Sequence, residues 1–261
     1  MAVVKAQGNA RVAKSFLSYT ATSSSEAIGF PASNIAILSR PKRVWRSTAT
    51  GDQSIVLDFG IAVSPPAVFI DNANFETVVI QGNTTDVWTS PAFGSGSITL
   101  ERDPRLGRRK RLIELATFDY RYMRIYIPSQ TPDGGAGYYQ IGALAVPEAL
   151  TEMIENPSYP GRWTKRTPVQ VNEFLSGGVE RVKVGSLDEV RLGLTLSVES
   201  SDGAIQQIYN LFGDPTSLIL FDWNFNVTYE SYLCMAETDL DASRTGWNPY
   251  DFGEIELRVV V

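Results

Sequence analysis

The sequence predicts a mainly β protein of two domains, on three observations. The stretch Asp52–Gly60 places Ile55, Leu57 and Phe59 on one side at period two, with Gln53, Ser54 and Asp58 between or before them, and Gly60 ends the run. The stretch Glu189–Ser200 alternates Val190, Leu192, Leu194, Leu196 and Val198 against Arg191, Gly193, Thr195 and Ser197. Aromatics at 11% with 21 Gly and 14 Pro then supply β-favouring side chains and frequent turns.

The first half runs as short strands between loops. A first strand is expected over Ala2–Ala6. Residues 15–36 are dense in Ser and Thr and read as loop with short extended pieces. Val44-Trp45-Arg46-Ser47 leads into the Asp52–Gly60 strand, where the Trp45 ring can close the end of a sandwich. Val68 and Ile70 alternate before a turn at Asp71-Asn72. Thr77–Gln81 is another strand, and Ser97–Arg102 one more. Tyr120–Ile127 puts Met123, Ile125 and Ile127 on one face. A Pro- and Gly-rich loop follows, and Tyr139–Val146 closes the half.

The ordered set Ala32-Ser33-Asn34, Val44–Ser47, Ser54–Gly60, Tyr120–Ile125 and Tyr139–Val146 resembles the discoidin, or galactose-binding-like, jelly-roll β-sandwich. The resemblance implies such a sandwich over residues 1–147. It leaves the function open.

Pro157 and Pro160 forbid a long element after Glu148–Glu155, so residues 148–164 read as a linker. Beyond it come a strand, a Gly177-Gly178 turn, a strand over Val179–Val184 and the alternating strand above. One helix is expected, with Asp202 as N-cap, Ile205, Ile208 and Leu211 on one face and Gly213-Asp214-Pro215 as its stop. Strands follow at 217–223 and 227–240, then a loop over 241–252. A final strand places Ile255, Leu257, Val259 and Val261 on one face. This antiparallel domain with one helix, residues 165–261, resembles the tail-tube-like fold of bacteriophage tail rings and the ring domain of distal tail proteins. The resemblance is carried by the strand, capped helix, Pro-stopped turn and Leu-rich strand of 190–222, and by the final strand.

Net charge is −6, from 23 basic and 29 acidic residues, which argues against nucleic acid as a partner of the whole surface. No stretch approaches 18 apolar residues, so no membrane span is expected, and the N-terminus lacks a secretory pattern. The single Cys234 cannot form an internal disulfide and reads as buried and inert. The chain has no histidine, which removes the commonest general base and zinc ligand. No G-x-S-x-G and no phosphate-cradling glycine loop occurs. The acid pairs Asp239/Asp241 and Glu254/Glu256 leave carboxylate-only glycosidase chemistry as a third class. The expected reading is not an enzyme, with no cofactor and no catalytic residue.

Contact residues are sought among aromatics and arginines. Trp45 with Arg46 suits a sugar platform, or Trp45 simply plugs the sandwich. Trp88 is a further candidate contact to a glycan or partner. Glu101–Arg111 carries six basic and two acidic side chains, and Arg108, Arg109 and Arg111 are candidate contacts to a glycan or partner. Asp71, Asn72, Asn74 and Glu76 offer oxygens for calcium, though their spacing fits no fixed ligand pattern, and no metal is expected. The resemblances together imply a phage tail-tip or baseplate component. It would form a ring with its own copies, six by resemblance, and meet tail tube, hub or fibre proteins. Its sandwich would face outward toward partners or host-surface glycans, in a virion tail assembled in the host cytoplasm. The alternative is a free carbohydrate-binding protein.

Overall fold

The structure, a computed structural model, describes residues 8–154, 156–157, 162–166, 169–173, 179–183, 189–199, 202–224, 230–236, 243–244 and 249–260. It is mainly β, built of antiparallel sheets with one α-helix among the described residues. The chain divides into two compact units. One comprises Met1–Glu152 with Leu218–Leu233, the other Met153–Ser217 with Cys234–Val261.

The first unit is a β-sandwich. One sheet has five strands in the order Thr20–Ser23, Gln53–Val63, Tyr120–Ile127, Thr77–Asn83 and Phe93–Thr99. The other has four, in the order Ala143–Ala145, Ala67–Ala73, Arg109–Glu114 and Glu101–Arg102. The register puts Ile125 opposite both Ile55 and Ile80, and Met123 opposite Leu57, so every second residue of three adjacent strands enters one core. That core also takes Val68, Ile70, Ile113 and Leu144 from the facing sheet, Trp45 from the short strand Trp45–Arg46 that pairs with Gln140–Ile141, and Phe75 and Tyr139 from the loops. Ile55, Leu57, Met123, Ile125 and Ile127 are buried as their spacing predicts. Phe59 is half-buried and meets Tyr19 edge-on, with ring centroids 6.0 Å apart.

One local departure has a physical reason. Ala67–Ile70 is buried on both faces, so the polar alternation expected there is absent. The expected strand over Ala2–Ala6 lies outside the described residues; the first described strand is Arg11–Ala13, paired with Leu218–Asp222 and with Thr151–Glu152. An ion pair secures that register, since Arg11 donates to Asp222 at 2.7 and 2.9 Å and to Glu114 at 2.6 Å.

In the second unit, Glu189–Glu199 pairs with Arg162–Arg166 on one side and Pro249–Val259 on the other, and Cys234–Ala236 continues beyond Pro249–Val259. Val169–Glu173 and Val179–Lys183 form a hairpin whose Gly177-Gly178 turn lies outside the described residues. The last strand begins at Pro249, so the loop expected over 241–252 ends sooner, and Ser243–Arg244 pairs with it. Leu192, Leu194, Ile255, Leu257 and Val259 are buried, as is Cys234. The side chains of Leu196 and Val198, and residue Val261, lie outside the description. The helix spans Asp202–Phe212 and buries Ala204, Ile208, Leu211 and Phe212. Its stop is local: Gly213 N–H donates to the Tyr209 carbonyl at 2.9 Å, and a Cβ at Gly213 would press on that carbonyl.

Candidate functional site

The loops at the Gln53 end of the sandwich are held by a chain of polar contacts. Gln53, largely buried, accepts from Ser24 Oγ at 2.8 Å and Ser25 Oγ at 2.6 Å. The Trp45 indole N–H donates to the Ser25 carbonyl at 3.1 Å. Ala27 N–H donates to the Arg46 carbonyl at 2.8 Å, and Asn34 Nδ2 to the Val44 carbonyl at 2.9 Å. A short 3₁₀ turn, Ala32–Ala36, buries Ala32 and Ile35 beneath this loop. Residues 24–46 are therefore tied to the core at both limbs.

That scaffold presents Arg46. Its guanidinium lies 4.1 Å from the centroid of the Phe30 ring and 4.6 Å from that of Tyr138, and Nε donates to Gln140 Oε1 at 3.1 Å. Among the described residues its two terminal nitrogens have no protein acceptor. Tyr138 is positioned from behind: Asn74 Nδ2 donates to its carbonyl at 3.0 Å, and Asn74 Oδ1 accepts from Gln140 N–H at 2.8 Å. Beside the stack opens a cavity of about 260 Å³, lined by Gly29, Phe30, Asn34, Lys42, Arg43 and Val44. Burial, with the repulsion of Arg108 behind it, pulls the Lys42 ammonium below its ordinary pKa.

Gly142 lets the loop lie this close. A Cβ there would meet the Pro41 carbonyl and the Asn72 side chain well inside contact distance. Gly142→Ala should cost about 1–3 kcal/mol by overpacking and push out the Pro41–Val44 segment. A urea titration reads the first effect; an unshifted midpoint would show that the close approach has no energetic weight.

The residues singled out from sequence separate. Trp45 is wholly buried, so its ring plugs the sandwich and the platform reading for it is withdrawn. Arg46 sits in the stack just described. Trp88 packs on the outward side of the five-stranded sheet, where the Arg124 guanidinium lies 4.7 Å from its ring; its indole N–H donates to Asp86 Oδ1 at 2.5 Å. Arg124 also donates to Gln81 Oε1 at 2.6 Å.

The basic run finds its partners within the first unit. Arg108 pairs with buried Asp71 at 2.6 Å, and Arg109 with Asp133 at 3.0 Å and Glu76 at 3.4 Å. Arg111 donates to the Thr99 carbonyl at 2.8 Å. Arg105 clamps Glu230 with bonds of 2.8 and 2.9 Å and donates to the Tyr232 hydroxyl at 2.6 Å. Lys110 is buried 2.8 Å from Asp103 and 3.2 Å from the Tyr232 ring centroid. Burial pushes the Lys110 amine down to about 8, against the pull of Asp103 and Asp71. The Asp103 carboxyl is buried too, yet Lys110 and the backbone N–H groups of Arg105 and Leu106 hold it below the usual carboxylate range. Arg108, Arg109 and Arg111 are thus engaged inside the domain rather than offered to a ligand.

The oxygens weighed for calcium have protein donors. Asp71 takes Arg108 and the Asn72 N–H, Asn74 holds Gln140 and Tyr138, and Glu76 faces Arg109. Of the acid pairs, Asp239 and Asp241 lie outside the described residues, as does the Glu254 side chain; Glu256 pairs with Arg191 at 2.7 Å. Sequence reasoning did not single out Phe30, Tyr138, Lys42 or Arg43. The available signal was Arg40, Lys42, Arg43 and Arg46 within one segment that has no Asp or Glu between Glu26 and Asp52.

No family model matches the chain, and no curated protein does. Several solved structures resemble about half of it. The family 32 carbohydrate-binding module from C. perfringens NanJ, solved with galactose, is 19% identical and covers 52% of this chain and 98% of its own, with a TM-score of 0.40. A fucose-binding module from Streptococcus pneumoniae is 14% identical, covering 50% and 93%, with a TM-score of 0.36. A chitosan-binding module from a Paenibacillus chitosanase/glucanase is 21% identical, covering 50% and 95%, with a TM-score of 0.35.

Proposed function

We propose that the first unit is a carbohydrate-binding module whose site is the loop end around Arg46. The observation that carries this is the Phe30–Arg46–Tyr138 stack. Its rings fix a guanidinium whose terminal N–H groups are left for sugar hydroxyls, and the partly open rings beside it suit apolar sugar faces. The adjoining cavity gives the ligand a concave seat. On this reading the chain binds without catalysing, and needs no cofactor.

The test is a glycan array probed with the full chain. Specific binding is expected, and Arg46→Ala and Tyr138→Ala should each weaken it about tenfold, as the loss of a charge-assisted hydrogen bond or a stacking ring does. A folded protein that binds nothing on the array, or variants that bind as well as the parent, would end this reading.

A second reading attaches to the other unit. Arg162–Arg166 is the last strand of its sheet among the described residues. An open edge of that kind suits pairing with a copy of the same chain. With the resemblance carried by residues 190–222, it supports a distal-tail-like ring of six copies in a virion tail. There the sandwich would face outward to glycans or neighbouring tail proteins. Light scattering at micromolar concentration separates the two: a closed oligomer supports the ring, and a monomer at tens of micromolar rules it out.

A further inference from the structure

We infer that the glycan bound at the loop end carries an acidic group, a carboxylate or sulfate ester, which Lys42 and Arg43 receive in the cavity beside Arg46. This rests on the reading of that site as a sugar site.

The first unit holds two basic clusters, and they differ in one respect. In the run Arg102–Arg111, Arg105, Arg108, Arg109 and Lys110 each face a carboxylate of the same unit: Glu230, Asp71, Asp133 and Asp103. In the segment 40–46, the side chains of Arg40, Lys42 and Arg43 have no acidic partner among the described residues. Of the two acids that flank the segment along the chain, Asp52 accepts from the Ser129 N–H at 2.8 Å, and Glu26 is turned to the backbone of Ala32 and the hydroxyl of Ser23. After burial, the charge that acts on Lys42 is that of another cation, Arg108, whose own charge is answered by Asp71.

Unanswered positive charge gathered at a cavity is unusual in a chain of net charge −6. Partial burial and the positive charge of Arg108 work against the charge of the Lys42 ammonium. An anion placed in the cavity reverses that, since Lys42 and Arg43 both line it, and Phe30, which lines it too, carries the Arg46 guanidinium on its ring. The rings of Phe30 and Tyr138 favour a ligand that is both flat-faced and charged, which an acidic sugar is and a bare phosphate is not. Lys42 and Arg43 are exposed, so their substitution leaves the core untouched.

The experiment uses the full chain on an array of matched pairs, each acidic glycan differing from its neutral parent only by a sulfate ester or a carboxylate. Acidic members are expected to bind about tenfold tighter, the scale of one charge-assisted contact, and their advantage should shrink as salt rises. In the Lys42→Ala/Arg43→Ala variant the ratio within each pair should fall to near one. Separate sulfate and carboxylate arms show which anion is preferred. Pairs that bind equally in the parent protein overturn this inference and leave the sugar site standing. Absence of binding to every member overturns both. Equal capture by duplex DNA or by anionic phosphatidylserine vesicles would replace an acidic glycan with a generic polyanion, and so also overturns it.

Discussion

Replacing Trp45 with alanine is expected to cost the first unit about 3–5 kcal/mol, the range for deleting a fully buried large aromatic. The ring is wholly buried in the core cluster, so the lost contacts cannot be recovered from solvent. The indole N–H also closes the loop through the Ser25 carbonyl, and the same carbonyl accepts from Ser23 Oγ at 3.1 Å. Trp45→Phe should therefore be milder, about 1–2 kcal/mol, because most volume stays and the carbonyl keeps one donor. Against a total stability of about 5–15 kcal/mol, the alanine variant would be marginal at body temperature. Urea unfolding followed by near-UV circular dichroism reads both values. A loss under about 1 kcal/mol for alanine would mean that the ring is not the plug its burial indicates.

Lys110→Met is expected to be of similar size, about 3–5 kcal/mol, because it strands the buried Asp103 carboxylate without its partner. Both side chains are essentially inaccessible to water, so solvent cannot take over the lost role. Asp103 also accepts the backbone N–H of Arg105 at 2.7 Å and of Leu106 at 3.3 Å, and so shapes the turn between two strands. An asparagine can keep those two bonds while removing the charge. Lys110→Met combined with Asp103→Asn should accordingly lose less than the sum of the single variants, by about 0.5–3 kcal/mol. Strict additivity in that double-mutant cycle would show that the two charges do not act as a pair.

The sandwich was legible wherever a strand has one wet face. Ile55 and Leu57, or Met123, Ile125 and Ile127, announce themselves because polar residues separate them. Ala67–Ile70 hides its role, since a strand buried on both faces has no alternation to read. Burial of Trp45 was a fair expectation for a large ring, but its ring gave no hint of the surface site next to it. That site joins Arg46 to Phe30 by a backbone hydrogen bond and a ring contact, and to Gln140, 94 positions away, by a short strand pairing and a side-chain hydrogen bond, none of which leaves a trace in composition. The basic run is hard to read for the opposite reason. Its charges are plain in the sequence, whereas their partners Asp71, Asp133 and Glu230 are scattered and reach it only through the fold.

The first unit recruits Leu218–Leu233, and Arg11 meets Asp222 across 211 positions. A nascent chain therefore emerges with its Arg11–Ala13 edge bare and with Lys110 lacking the Tyr232 ring. At ~5–20 residues per second the wait for that segment is roughly 10–40 s. Translation must pass through much of the second unit before the first is finished, so a ribosome stalled before Leu218 carries a sandwich that is folded in pattern and open along one border.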